Sequence, residues 1–121
     1  MSEDVKTILI IDDEKEACDF VKSFLEDRGY IVSVAYDGNA GIEAIKNKKP
    51  DLTFLDMRLP DMTGMDVLSK LKQDNVSAKI LLITAIDDEK ELEEAKKLGA
   101  MGVVAKPVQL PELNEAVKNN M

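Results

Sequence analysis

The sequence contains no histidine and no tryptophan, and only one cysteine, Cys18, among its 121 residues. A single cysteine cannot form an internal disulfide, and a chain without histidine is a poor candidate for a zinc or haem site. No apolar run approaches the roughly 20 residues that span a membrane, and no secretion signal is visible around Lys6. We therefore expect a cytoplasmic domain with no contact to membranes.

Basic residues are also few, because 16 of them face 24 acidic residues and leave a net charge of −8. Affinity for nucleic acid depends on neutralising phosphates with Lys and Arg, so this balance argues against direct binding to DNA or RNA. The length fits one domain, which at this size buries roughly two-thirds of its unfolded surface.

Five apolar runs of strand length are nearly continuous in Val, Ile and Leu, which indicates strands buried on both faces and hence a parallel sheet. They occupy residues 7–11, 31–35, 52–55, 80–83 and 101–105. The segments between them have helical spacing, and the fourth of these, after Asp87 and Asp88, has the thinnest apolar stripe. Strands and helices that alternate from end to end predict an α/β fold, a (βα)5 chain with helices on both faces of the sheet.

Polar residues follow four of the five predicted strands, at the edge where open α/β sheets bind ligands. Asp12 and Asp13 follow the first strand, Asp56 the third, Thr84 the fourth and Lys106 the fifth. Clustered carboxylates need a cation, and oxygen ligands without His or Cys select Mg²⁺, Mn²⁺ or Ca²⁺. A metal, an ammonium group and a hydroxyl around a carboxylate suit phosphoryl transfer, in which the carboxylate itself can be the nucleophile.

The sequence resembles a bacterial response-regulator receiver domain, and the resemblance covers residues 1–121. It depends on Ile10-Ile11-Asp12-Asp13-Glu14, Asp56-Met57-Arg58-Leu59-Pro60 with Gly64, Thr84-Ala85, and Lys106-Pro107. It implies a doubly wound, five-stranded parallel sheet in the flavodoxin-like order 2-1-3-4-5. It further implies a phosphorylation-controlled switch, not a turnover enzyme, and leaves open whether the chain is the N-terminal part of a longer protein.

The resemblance also implies a role for each matching residue. Asp56 would accept a phosphoryl group from a phosphohistidine on a sensor kinase or phosphotransfer protein. Asp13, Asp56 and the backbone carbonyl of Arg58 would bind Mg²⁺, for which Mn²⁺ can substitute, and Asp12 would act through a bound water. Lys106, in a cis bond to Pro107, would pair first with Asp56 and then with the phosphoryl group, to which Thr84 would move.

The expected output is regulation of a downstream effector domain or protein, and dimerisation on phosphorylation stays open. Three positions have special interest. Val103 stands where receivers usually carry Tyr or Phe, so we expect switching at Thr84 without an aromatic reporter. Arg58 and Ile86 would flank the path of water to the phosphoryl group and tune its lifetime.

Three other classes remain as alternatives. A haloacid-dehalogenase-type phosphatase would need a second Asp two residues after its nucleophile, whereas Asp12 and Asp13 are adjacent. A flavodoxin-like FMN carrier would need a Ser/Thr/Gly-rich phosphate loop where this chain has Asp-Asp-Glu. A pseudo-receiver that serves only as an interaction surface would not need the acidic cluster.

Overall fold

The computed structural model describes residues 6–85 and 88–120, which form one five-stranded parallel sheet with helices on both faces. The strands lie in the order β2-β1-β3-β4-β5, so the predicted topology is confirmed. Their bounds are β1 (Thr7–Ile11), β2 (Ile31–Ala35), β3 (Leu52–Asp56), β4 (Ile80–Thr84) and β5 (Ala100–Ala105).

Five helices connect and follow the strands: α1 (Lys15–Asp27), α2 (Gly38–Lys48), α3 (Gly64–Gln73), α4 (Glu89–Lys97) and α5 (Leu110–Asn120). Side chains cap three of their amino ends, where backbone N–H groups have no partner within the helix. Asp37 accepts from Ala40 N at 2.7 Å, Asp88 accepts from Lys90 N at 2.9 Å, and Thr63 forms a capping box with Asp66. Within the described residues, no helix is long and apolar enough to cross a membrane.

Successive residues of each strand point to opposite faces of the sheet, which divides the apolar side chains between two cores. The first core lies under α2, α3 and α4 and includes Leu9 and Ile11 of β1. The second lies under α1 and α5 and includes Ile8 and Ile10 of the same strand. Cys18 of α1 is fully buried in the second core, as its place beside the apolar stripe predicts.

The observed elements differ from the predicted ones mainly by single residues at strand ends. β3 and β4 each continue one residue further than predicted, to Asp56 and Thr84, and β5 begins one residue earlier, at Ala100. The thin apolar stripe predicted for the fourth helix is also present, since Ala95 is the one fully buried residue of α4. Asp87, expected before this helix, lies outside the described residues.

Candidate functional site

The Lys106 side chain lies at the centre of a group of carboxylates beyond the carboxyl ends of the strands. Its Nζ is 2.9 Å from Asp56 Oδ2, 3.0 Å from Asp12 Oδ2 and 3.0 Å from Glu14 Oε1. The parallel strands bring these residues together from positions up to 94 residues apart in the chain, because β1 lies beside β3 and their carboxyl ends share one edge.

The backbone holds each of these groups in place. Asp56 is the last residue of β3, and its Oδ1 accepts a hydrogen bond from Arg58 N at 3.1 Å. Asp12 Oδ1 accepts from Glu14 N at 3.0 Å. The backbone N–H of Lys106 donates to the carbonyl of Thr84 at 3.0 Å, which fixes the start of the segment after β5 against the end of β4.

Burial makes the electrostatics of this group strong. Asp12 and Asp56 are only 5% and 6% exposed, so each ionised carboxylate needs a cation or hydrogen-bond donors. Burial acts to lower the pKa of Lys106, but its hydrogen bonds to Asp56, Asp12 and Glu14 outweigh burial, and the net shift is upward. Lys106 is therefore a permanent cation at physiological pH.

The same carboxylates form a candidate metal site. One ligand oxygen from each of Asp12, Asp13 and Asp56 lies within 4.8 Å of the other two, and Asp13 is exposed to solvent. With Glu14 the cluster has four carboxylates and one ammonium group, that of Lys106, which contacts Asp12, Glu14 and Asp56, so the cluster retains excess negative charge. This donor set of oxygens alone fits a hard divalent cation such as Mg²⁺.

Four further residues of the predicted site lie close to this cluster. Thr84 ends β4 and is 2% exposed, and Ala85 follows it on the surface. The peptide bond between Lys106 and Pro107 is cis, as expected from the resemblance. Arg58 is exposed and bonded to Asp56 through its N–H, whereas Ile86, expected to flank the site with it, lies outside the described residues.

Sequence reasoning missed two acidic residues. Glu14 was part of the matching motif without a role, yet it bonds directly to Lys106. Its position one residue after Asp13, at the same sheet edge, is the signal that could have identified it. Asp61 bonds to the amino end of α2, and its sequence context after Pro60 is that of an ordinary turn residue.

Cys18 lies beneath the cluster without joining it. Its thiol donates to the backbone carbonyl of Asp12 at 3.3 Å. Burial, helped by the negative charge of Asp12, raises the pKa of the Cys18 thiol to about 12. The thiol therefore stays protonated at physiological pH, and its burial agrees with the predicted packing role.

Comparisons with known proteins agree on one family. Residues 8–118 match the response regulator receiver domain. The chain is 36% identical over 107 residues to the "Probable transcriptional regulatory protein TcrX" of Mycobacterium tuberculosis, covering 88% of this chain and 46% of that protein. It is 36% identical over 113 residues to the alkaline phosphatase synthesis transcriptional regulatory protein PhoP of Bacillus subtilis, covering 93% and 47%.

A solved structure gives the same result. The CheY-like response regulator receiver domain protein of Methanospirillum hungatei JF-1 superposes with a TM-score of 0.89 at 31% identity, covering 96% of this chain and 93% of that one. The chain belongs to the response regulator receiver domain family and is a phosphorylation-controlled module of two-component signalling. It spans about half the length of the curated relatives that it matches.

Proposed function

We propose that Asp56 is the phosphoacceptor and that Lys106, Thr84 and the neighbouring carboxylates are the groups that assist its reaction. The observation that carries this assignment is the position of Asp56 at the end of β3, beside both Lys106 and the candidate metal group. It is the carboxylate that both contacts Lys106, at 2.9 Å, and belongs to the candidate metal group while ending a central strand of the sheet.

The phosphoryl donor is a phosphohistidine of a sensor kinase or phosphotransfer protein. An oxygen of Asp56 attacks the phosphorus, so that an O–P bond forms while the N–P bond of the phosphohistidine breaks. The bonding electrons return to the imidazole ring, which takes up one proton and leaves as neutral histidine. Lys106 exchanges its contact with Asp56 for one with a phosphoryl oxygen, and its permanent charge offsets the charge brought in.

The metal would be held by Asp13, Asp56 and the backbone carbonyl of Arg58, with Asp12 acting through a bound water. A Mg²⁺ or Mn²⁺ ion bound there supplies positive charge beside the phosphoryl oxygens. The chain's own contribution is the arrangement of the carboxylates, because Lys106 already neutralises part of their charge and holds Asp12 and Asp56 close together.

Thr84 is proposed to carry the signal outward by bonding to the phosphoryl group. It ends β4, and the segment after it leads to α4, the helix with the least buried apolar surface. Val103 on β5 is 37% exposed and has one stiff side-chain torsion, so it cannot alternate between positions as an aromatic ring does. The switch then consists of Thr84 and the segment that follows it.

A protein donor fits the surroundings of the site better than a small molecule. A mainly apolar groove of about 480 Å³ adjoins Lys106 and is lined by Phe20, Val21 and Pro107 among others. Phe20 is 52% exposed, and a partner surface that delivers its phosphohistidine would cover it. Family membership supports placing this phosphoryl transfer in the cytoplasm. Its output is the regulation of a downstream effector domain or protein.

The test is incubation of the chain with acetyl phosphate and Mg²⁺, followed by intact-mass measurement. We expect a gain of one phosphoryl group per chain, complete loss of that gain in Asp56→Asn, and loss on chelation of the metal. Asp51→Asn is a matched control, since Asp51 is an exposed carboxylate at the opposite end of β3. Labelling that persists in Asp56→Asn would overturn the assignment.

A further inference from the structure

Asp61 joins the loop after Asp56 to the amino end of α2. Its Oδ1 accepts from Gly38 N at 2.7 Å and its Oδ2 from Asn39 N at 3.0 Å, so both carboxylate oxygens are used. These hydrogen bonds, that from Asn39 first and that from Gly38 next, lower the pKa of Asp61 below its usual range. The residue is exposed, and it contacts none of the carboxylates around Lys106 directly.

The loop of residues 57–64 is closed on itself, so Asp61 is rigidly connected to Asp56. Gly64 N donates to the Met57 carbonyl at 2.8 Å, Leu59 N donates to the Met62 carbonyl at 3.2 Å, and Arg58 forms an antiparallel bridge with Thr63. At the base of the loop, Arg58 N donates to Asp56 Oδ1. A displacement of the tip at Asp61 is therefore transmitted to Arg58 and Asp56.

A second connection leads from Asp61 to Asp12 through the segment between β2 and α2, to which Asp61 is hydrogen-bonded. The carbonyl of Ala35, at the end of β2, accepts a hydrogen bond from Asp12 N at 3.0 Å, and α2 begins three residues later. The contacts thus form a ring that runs from Asp12 through Ala35 and Gly38 to Asp61, then through Arg58 to Asp56. Lys106 closes this ring by bonding to both Asp12 and Asp56.

Close packing fixes the same junction. A Cβ on Gly38 would lie 2.3 Å from Met62 Cγ and 2.6 Å from Met62 Sδ, so the Met62 side chain of the loop lies directly on the helix backbone. Gly38 is buried, and only the absence of a side chain there allows Asp61 and Met62 to approach this closely.

We infer that Asp61 is a positioning residue of the phosphoacceptor site, which sets the spacing between the Asp12–Asp13 pair and Asp56 by clamping the loop of residues 57–64 to α2. The inference rests on the proposed function, since it names the structural support of that same site. Its consequence is that metal affinity depends on an aspartate that binds no metal, because outer hydrogen bonds orient the ligands themselves.

The experiment compares Asp61→Ala with Asp74→Ala. Asp74 caps the carboxyl end of α3, whereas Asp61 precedes its amino end. The Asp74 side chain forms an ion pair of 2.7 Å with Lys46 of α2. Both aspartates are exposed, both join α2 to the segment around α3, and both have a lowered pKa. Only Asp61 lies on the ring that includes Asp56, which makes Asp74→Ala a matched control.

Mg²⁺ affinity is measured by calorimetric titration, and phosphorylation by acetyl phosphate is followed by intact mass, with circular dichroism to verify folding. We expect Asp61→Ala to weaken Mg²⁺ binding about tenfold, the lower end of the range for groups bonded directly to metal ligands, because Asp61 acts on the ligands through the loop of residues 57–64. Asp74→Ala should bind Mg²⁺ like the unaltered chain. Asp61→Asn retains one carbonyl oxygen as acceptor and should restore part of the affinity.

Two failures are distinguishable. If the unaltered chain is not labelled, or is labelled at a residue other than Asp56, the proposed function fails. If it is labelled on Asp56 but Asp61→Ala binds Mg²⁺ unchanged, or Asp61→Ala and Asp74→Ala weaken binding equally, the positioning role of Asp61 is overturned while the proposed function stands.

Discussion

At the scale of single residues, Lys106 has two opposing effects on the site. Its Nζ contacts one oxygen each of Asp12 and Asp56, so it neutralises the carboxylates and also competes with a metal for them. Removing one partner of a buried ion pair leaves the charge of the other uncompensated. Here the uncompensated charge is the negative charge of Asp12 and Asp56, two of the candidate metal ligands. The removal of Lys106 should therefore separate metal binding from phosphoryl transfer.

We predict that Lys106→Ala binds Mg²⁺ at least as tightly as the unaltered chain but accepts a phosphoryl group from acetyl phosphate more slowly. The rate should fall by roughly 10²–10³-fold, the effect of removing one preorganised group that stabilises charge in a transition state. Calorimetric titration and time-resolved intact mass measure the two effects. The control is Lys46→Ala, which removes a lysine far from the site and should change neither the Mg²⁺ affinity nor the rate of phosphorylation. Weaker Mg²⁺ binding in Lys106→Ala would contradict the prediction.

The positions of the predicted site residues were correct where the sheet determines them, while their roles stay predictions. Asp12, Asp56, Thr84 and Lys106 each end or follow a strand, and parallel strands bring such residues to one edge whatever the loops do. Glu14 and Asp61 were missed because their partners depend on loop and helix-end geometry. An Asp after a Pro predicts a turn, and nothing in that pattern specifies that the turn contacts α2.

At the scale of elements, Gly64 is the glycine near the site that lies directly against the backbone of a strand and of the residue that follows it. It begins α3, and a Cβ there would lie 2.9 Å from the Asp56 carbonyl oxygen and 2.9 Å from Met57 Cα. Both are backbone atoms that cannot rotate away. The start of α3 therefore lies directly against the residue proposed to be phosphorylated.

We predict that Gly64→Ala destabilises the fold by about 2 kcal/mol, within the usual cost of overpacking, although Ala is the better helix former. The forced shift of the backbone at Asp56 should also slow phosphorylation by acetyl phosphate. Urea unfolding and intact mass measure the two effects. Gly102→Ala is the control, because its Cβ would meet only Leu81 Cδ2, at 3.3 Å. Equal stability losses in the two variants would show that the contact at Gly64 is not the cause.

Element prediction was accurate because strands buried on both faces and helices with one apolar stripe leave different patterns. All five strands were located to within one residue at each end. Two of the three one-residue differences occur at Asp56 and Thr84, polar residues that end β3 and β4, because a change from apolar to polar residues predicts the end of a strand; the third is the start of β5 at Ala100. Backbone pairing continued to those residues, which is why both side chains are fixed by the sheet and not by a loop.

At the scale of the whole molecule, the net charge of −8 is unevenly distributed, and part of it is concentrated at one edge of the sheet. Asp12, Asp13, Glu14 and Asp56 gather there, and three of them contact Lys106, so the folded state brings together like charges that are farther apart in the unfolded chain. Anything that binds the folded state alone stabilises it by mass action. A divalent cation held by Asp12, Asp13 and Asp56 would do so, since the unfolded chain has no such cluster.

We predict that Mg²⁺ raises the free energy of unfolding by about 2.7 kcal/mol when its free concentration is 100 times its dissociation constant. The measurement is urea unfolding with MgCl₂ against NaCl at the same ionic strength, because screening alone acts equally in both. Asp13→Asn removes an exposed carboxylate of the cluster and should lose most of the specific effect. Equal stabilisation by NaCl, or full stabilisation of Asp13→Asn by MgCl₂, would mean that the carboxylates lie close together without forming a metal site.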